Sequence, residues 1–275
     1  MLSGERRAEV CQAGEVQLDV GGVAKHFGGV RAVETISLAV NRGEILSIIG
    51  PNGAGKTSFL NMVSGFYRPD RGTIRFEERE IAGMRPSKIA ALGIARTFQN
   101  IALFGGMTVL DNIMLGRHVR MKSGVLSSFL YWGFAQREEI AHRARVEEVI
   151  SFLDLEDLRK EQTSALAFGL RKKVELARAL ALDPKLLLLD EPMGGMNQEE
   201  KEDMARSILE VNEEWGTTII LIEHDMAVVM DISERVVVFD HGRKIAEGSP
   251  AAVARDAEVI RAYLGTARSR EGLAA

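Results

Sequence analysis

Residues Gly50-Pro51-Asn52-Gly53-Ala54-Gly55-Lys56-Thr57 keep the spacing G-x-x-x-x-G-K-[ST], which lets a backbone wrap around a row of phosphates. The glycines allow successive N–H groups to converge into an anion nest, and a helix starting near Gly55 adds the positive end of its dipole. In such a loop Lys56 reaches the β- and γ-phosphates and the Thr57 hydroxyl is a ligand for Mg²⁺. Ser58 completes the expected nucleotide-binding run. Farther along, Leu186–Leu189 run directly into Asp190 and Glu191. The first acid suits the water shell of Mg²⁺, and the second suits a general base acting on an attacking water. Two adjacent acids argue for hydrolysis over nucleotide storage.

Those residues need a sheet to hold them. Thr35–Val40 alternates apolar and polar, and Asn41-Arg42-Gly43 turns the chain into the apolar run Glu44–Gly50. Leu186–Leu189, Thr217–Ile222 and Val236–Phe239 are short apolar runs rich in β-branched residues, the pattern of parallel strands buried on both faces. Helical spacing covers Gln136–Leu153, Leu170–Leu182 and Gln198–Trp215, and Asp240-His241-Gly242-Arg243 is a hairpin-type turn. The fold class is therefore α/β: a parallel nucleotide-binding core with an antiparallel part near the N-terminus.

The chain has 275 residues, 35 Lys plus Arg against 39 Asp plus Glu, and a net charge of −4. That balance speaks against bulk nucleic-acid affinity, which needs a basic stripe. With 46% hydrophobic and 27% charged residues the chain is globular, not disordered. One cysteine, Cys11, makes no intrachain disulfide, and no run approaches the ~18 apolar residues of a membrane span. No His/Cys spacing of a zinc site and no G-x-S-x-G nucleophile elbow occurs. The expected layout is mobile tails at 1–15 and 266–275 around one domain, 16–265.

With Gln99 in Arg96-Thr97-Phe98-Gln99-Asn100 and His224 in Ile222-Glu223-His224-Asp225, this order of motifs resembles the ATP-binding cassette ATPases of ABC transporters. The resemblance covers about Val16 to Gly265. It implies an ABC-type ATPase fold with a helical subdomain at about 100–182, and ATP and Mg²⁺ as cofactors. It also implies that Gln99 senses Mg²⁺ and the attacking water, that His224 contacts the γ-phosphate, and that Phe27 stacks on adenine. The strings GGVRAVETISLAV, GIARTFQNIALFGGMTVLDNIMLG, LLLLDEPMGGMN and GSPAAVARDAEVIRAYLG are similar to ATPase subunits of branched-chain amino acid importers. Such systems imply a second ATPase subunit, two membrane permease subunits and a periplasmic binding protein, with this chain cytoplasmic on the inner face of the membrane. The expected pairing is a heterodimer of two related ATPases, with a homodimer as the alternative. An exporter ATPase, such as one for lipopolysaccharide, and a subunit that binds ATP without hydrolysing it remain the rival readings.

One feature resembles the longer of the two importer ATPases, and two others, the signature segment and Asn197, depart from the family pattern. An insert at 120–136 holds Phe129, Tyr131, Trp132 and Phe134, either a protein contact or a helix folded on its own core. The signature segment, which by resemblance completes the partner's ATP site, reads Leu166-Ala167-Phe168-Gly169-Leu170. Gly169 keeps a backbone N–H for a phosphate, whereas Ala167 and Leu170 replace the usual Ser and Gln. Asn197, where many relatives carry Asp, is a milder change.

Overall fold

The computed structural model describes residues 14–99, 101–118 and 132–263. Cys11, Asn100, the whole of 266–275 and the insert through Tyr131 lie outside the described residues, as do the side chains of Trp132 and Phe134. Strands β1 (Val16–Phe27), β2 (Val30–Asn41), β4 (Arg71–Phe76) and β5 (Arg79–Glu80) pair antiparallel. Strands β3 (Ile45–Ile49), β6 (Ile94–Arg96), β7 (Leu186–Asp190), β8 (Thr218–Ile222) and β9 (Arg235–Asp240) lie parallel to one another. β10 (Arg243–Gly248) joins the two parts, antiparallel to β9 and parallel to β2 at Arg243–Thr35. The resulting ten-stranded order is β5-β4-β1-β2-β10-β9-β3-β8-β7-β6.

The unbroken apolar runs follow from burial on both faces. Leu187, Leu189, Ile219 and Leu221 enter one core, and Leu186, Leu188, Ile220 and Ile222 enter the other. Successive strand side chains point to opposite faces, so a strand with cores on both sides is apolar at nearly every position, and the buried hydroxyls of Ser47 and Thr218 are both hydrogen-bonded. The first core is closed by α3 (Val109–Arg117), α4 (Trp132–Phe152), α5 (Phe168–Leu180) and α6 (Gln198–Trp215). The second is closed by α1 (Lys56–Val63), α2 (Pro86–Ala91) and the antiparallel strands. α7 (Met226–Ile232), α8 (Pro250–Val253) and a helix at 257–263 cover the β9 end. Among the described residues no helix is long and apolar enough to cross a membrane.

Several bounds differ from the sequence expectation. The alternating run Thr35–Val40 is the middle of the longer β2. The helix expected at Leu170–Leu182 starts two residues earlier and stops at Leu180, because Asp183 turns to φ 53°. α6 keeps its expected bounds; Asn197 and Glu200 form a reciprocal capping box at its start, and Gly216 ends it in a left-handed conformation.

Candidate nucleotide site

Strand order brings the chemical groups together. β3, β7 and β8 are adjacent, and Ile222 on β8 lies opposite Ile48 on β3 and Asp190 on β7. Three neighbouring strand ends therefore deliver Gly50, Asp190-Glu191 and Glu223-His224 to one edge, where open α/β sheets bind ligands. β6 extends the row, with the Thr97 N–H donating to the Leu188 carbonyl at 3.0 Å, and Gln99 follows two residues later.

The phosphate loop is held open by close backbone contacts. A Cβ on Gly50, at φ 146°, would lie 2.0 Å from the Phe239 carbonyl oxygen. One on Gly55, at φ 98°, would lie 2.3 Å from that of Ala32. Both positions need glycine on two counts, space and backbone angle. Pro51, Asn52 and Gly53 form the rim, Ala54 is buried beneath it, and Thr57 and Ser58 begin the first turn of α1 half-buried. Lys56 Nζ donates to the carbonyls of Gly50 at 2.7 Å and Pro51 at 3.0 Å, bracing the loop from within. Burial pushes the Lys56 ammonium below its ordinary range, and the Glu191 and Asp190 carboxylates oppose that shift.

Both acids have defined surroundings. Gln99 Nε2 donates to Glu191 Oε2 at 3.0 Å, and His224 Nε2 lies 2.9 Å from Glu191 Oε1. A carboxylate only accepts, so in this contact His224 donates through Nε2. Glu191 sits at φ 52°, a left-handed conformation that costs a non-glycine residue about 1–2 kcal/mol. Its N–H bonds to the Ile222 carbonyl at 2.9 Å, so β8 holds the strained residue in place. Asp190 is buried, which raises its pKa; Arg96 opposes the rise from 3.0 Å. Thr57 Oγ1 donates to Asp190 Oδ1 at 3.4 Å, so a hydroxyl and a carboxylate oxygen face each other beside the loop. This hard-oxygen pair suits Mg²⁺, which completes its shell with water and phosphate oxygens.

Other groups at the site were not singled out in the sequence. Glu223, buried and with its pKa raised by that burial, accepts from the N–H groups of Met193 at 2.8 Å and His224 at 3.0 Å. It ties the histidine turn to the segment after Glu191. On α5, Lys172 donates to the Gln99 carbonyl at 2.9 Å, Glu175 accepts from the Phe98 N–H at 3.4 Å, and Arg178 donates to the Ala102 carbonyl at 2.7 Å. Spaced three apart, these charges share one helix face and grip the Gln99 segment from the helix that opens with Phe168.

Phe27 is 42% exposed at the end of β1, edge-on to Tyr67 at 5.0 Å between ring centres. Asp70 braces its approach, accepting from Lys25 Nζ at 2.8 Å and the His26 N–H at 2.7 Å. An exposed ring braced in this way is free to stack on a base. Phe27→Ala is expected to weaken ATP binding by roughly 1–3 kcal/mol, the usual worth of one base–aromatic stack. Binding of inorganic triphosphate, measured by calorimetry, should be unchanged. In the signature segment Leu166 is buried, Ala167 is the N-cap of α5 with no side-chain cap bond, and Phe168 is exposed. Gly169 packs against Glu200, and Leu170 packs partly on the core.

A phosphate loop, an acid pair and a histidine on adjacent ends of one parallel sheet, joined to an antiparallel flank, define a nucleotide-hydrolysing cassette. The sequence profile of the family described as ABC transporter matches residues 33–194, and the chain belongs to that family as an ATPase coupled to transport. Residues 243–268 match the profile described as branched-chain amino acid ATP-binding cassette transporter. The chain is 40% identical over 250 residues to the high-affinity branched-chain amino acid transport ATP-binding protein LivG of Salmonella typhimurium, spanning 91% of this chain and 98% of that one. It is 37% identical, again over 91% of its length and 98% of the relative, to BraF of Pseudomonas aeruginosa, which bears the same description. Among solved structures, a nucleotide-free ATP-binding cassette from an ABC transporter superposes with a TM-score of 0.79 at 31% identity, covering 90% of this chain and 98% of that one. A cassette in its ADP conformation gives 0.79 at 32% identity, with coverage of 91% and 99%.

Proposed function

We propose that this chain energises an importer of branched-chain amino acids, working as one of two ATPase subunits beneath two membrane permease subunits fed by a periplasmic binding protein. The observation that carries the catalytic half is the Glu191 carboxylate, fixed between Gln99 and His224 at the mouth of the phosphate loop. The relatives' names carry the substrate half. In this reading loop N–H groups and Lys56 bind the β- and γ-phosphates, and Phe27 stacks on adenine. Glu191 accepts the proton of the attacking water, while Gln99 and His224 orient that carboxylate and meet the water and the γ-phosphate. Bound Mg²⁺, held by Thr57 and Asp190 and sensed by Gln99, would offset charge on the phosphate oxygens.

The segment after Gln99 leads to Phe104, exposed on the rim of a groove of about 490 Å³, and we assign it to contact with the permeases. The assignment places the chain peripherally on the cytoplasmic face. The test is uptake of radiolabelled leucine, isoleucine and valine by cells with and without the chain. Loss of that uptake, restored by the wild-type chain and not by Lys56→Ala, supports the reading. Unchanged uptake of all three contradicts the substrate assignment.

The altered signature leads to unequal sites in a heterodimer. Ala167 and Leu170 would face the partner's ATP, so the ATP held by this chain and completed by the partner's signature hydrolyses faster. Ala167→Ser with Leu170→Gln should speed mainly the partner's site, since a hydrogen bond to a charged phosphate contributes about 1.5–3 kcal/mol. Site-resolved hydrolysis that is equal before and after the change would contradict this.

A further inference from the structure

We propose that Arg96 is a positioning residue for the hydrolytic site, orienting the Asp190 carboxylate toward Mg²⁺. The proposal deepens the MgATP reading above and rests on it. Arg96 ends β6, directly beside β7, and its side chain is 7% exposed against 1% for Asp190. Nη2 donates to Asp190 Oδ2 at 3.0 Å, while Nη1 donates to Asn61 Oδ1 at 2.6 Å and Ser64 Oγ at 2.9 Å. The fork thus joins β7 to α1, the helix that also carries Lys56 and Thr57. Rings of Phe98 and Phe66 stand 5.4 and 5.9 Å from the guanidinium, and they are edge-to-face with each other at 5.7 Å. Such walls keep a planar cation from swinging away.

The two Asp190 oxygens consequently have different work. Oδ2 is committed to Arg96, and Oδ1 faces Thr57, the other proposed Mg²⁺ ligand. Without the fork the carboxylate can rotate, and α1 loses its tie to the strand that presents it. An opposing effect exists, because a buried cation beside the site also repels Mg²⁺. Fixed geometry outweighs it in this arrangement, since Arg96 bonds the oxygen away from Thr57. A planar fork reaches the strand through Nη2 and the helix through Nη1, whereas a lysine presents all its donors from a single nitrogen.

The test uses the full chain and the fluorescent analogue methylanthraniloyl-ATP, with affinity measured in EDTA and across rising free Mg²⁺. Wild type should bind more tightly as Mg²⁺ rises. Arg96→Met should match it in EDTA but need about tenfold more Mg²⁺, the scale of one positioned charged hydrogen bond. Arg96→Lys should fall between the two. A Met variant with the wild-type midpoint, or a lower one, overturns the proposal; a lower one would mean that repulsion dominates. If circular dichroism shows that Arg96→Met is unfolded, Arg96→Lys decides alone, and a wild-type midpoint there overturns the proposal. A wild type indifferent to Mg²⁺ overturns the underlying Mg²⁺ reading instead, which separates the two failures.

Discussion

Glu191→Gln should leave ATP bound and reduce its hydrolysis by a factor of about 10²–10⁴, the usual worth of a positioned general base. The amide has nearly the same shape, and because its NH2 group cannot accept, either Gln99 flips its own amide or His224 moves its proton to Nδ1 to keep both contacts. Its electrostatics favour the ligand. The Glu191 carboxylate is close enough to act on Lys56, and so on any phosphate that Lys56 binds. Removing that negative charge makes ATP affinity equal to wild type or higher. Phosphate release and titration with a fluorescent ATP analogue read the two halves separately. Turnover within tenfold of wild type would move the base elsewhere, and a large fall in affinity would show that the substitution damaged the loop.

Asp190→Ala carries the largest expected loss of stability among the site variants. It strands the Arg96 guanidinium, which remains buried beside Asn61 and Ser64 with its Nε lacking a hydrogen-bond partner among the described residues. Breaking a buried ion pair from one side costs roughly 3–5 kcal/mol, because the remaining charge is left uncompensated. For a domain of this size the melting temperature should drop by roughly 6–20 °C. Adding Arg96→Met to Asp190→Ala should recover much of that loss, since an apolar pair removes the orphaned charge. Melting curves of the two single variants and the double variant form the cycle. Purely additive losses would show that the pair is not the source of the effect.

What was legible in the chain was what is local. The phosphate loop is one contiguous string, and its glycine requirement at Gly50 and Gly55 matches two backbone contacts that no side chain fits. Leu186–Leu189 and Thr217–Ile222 were legible as doubly buried strands because they are short runs of apolar and β-branched residues, and the second run's strand begins one residue later, at Thr218. β1 did not. Gly21 and Gly22 interrupt its alternation, and the pairing register shifts between Val20 and Val23 while the strand continues. β6 is three residues long, too short for any periodicity, yet it positions both Arg96 and Gln99.

The charged groups around the site were hidden for a different reason. Arg96 meets Asp190 across 94 positions, and Glu223 meets the Met193 N–H across 30; only the strand order makes them neighbours. Lys172, Glu175 and Arg178 look in sequence like the solvated side of an amphipathic helix. All three instead bind the backbone of the Gln99 segment. The usable signal was their spacing of three on a helix already flagged by the signature residues at its start.

The account turns on a hydrolytic site that a second ATPase chain completes, and the most direct measurement is specific activity against concentration. MgATP hydrolysis per chain would be followed from dilute, dissociated chains, verified by light scattering, upward in an equimolar mixture with the second ATPase subunit, with Glu191→Gln as the blank. The account predicts hydrolysis per chain that rises with protein concentration and vanishes in the variant. A specific activity that stays constant down to the monomer would contradict it, because one chain would then contain the whole site.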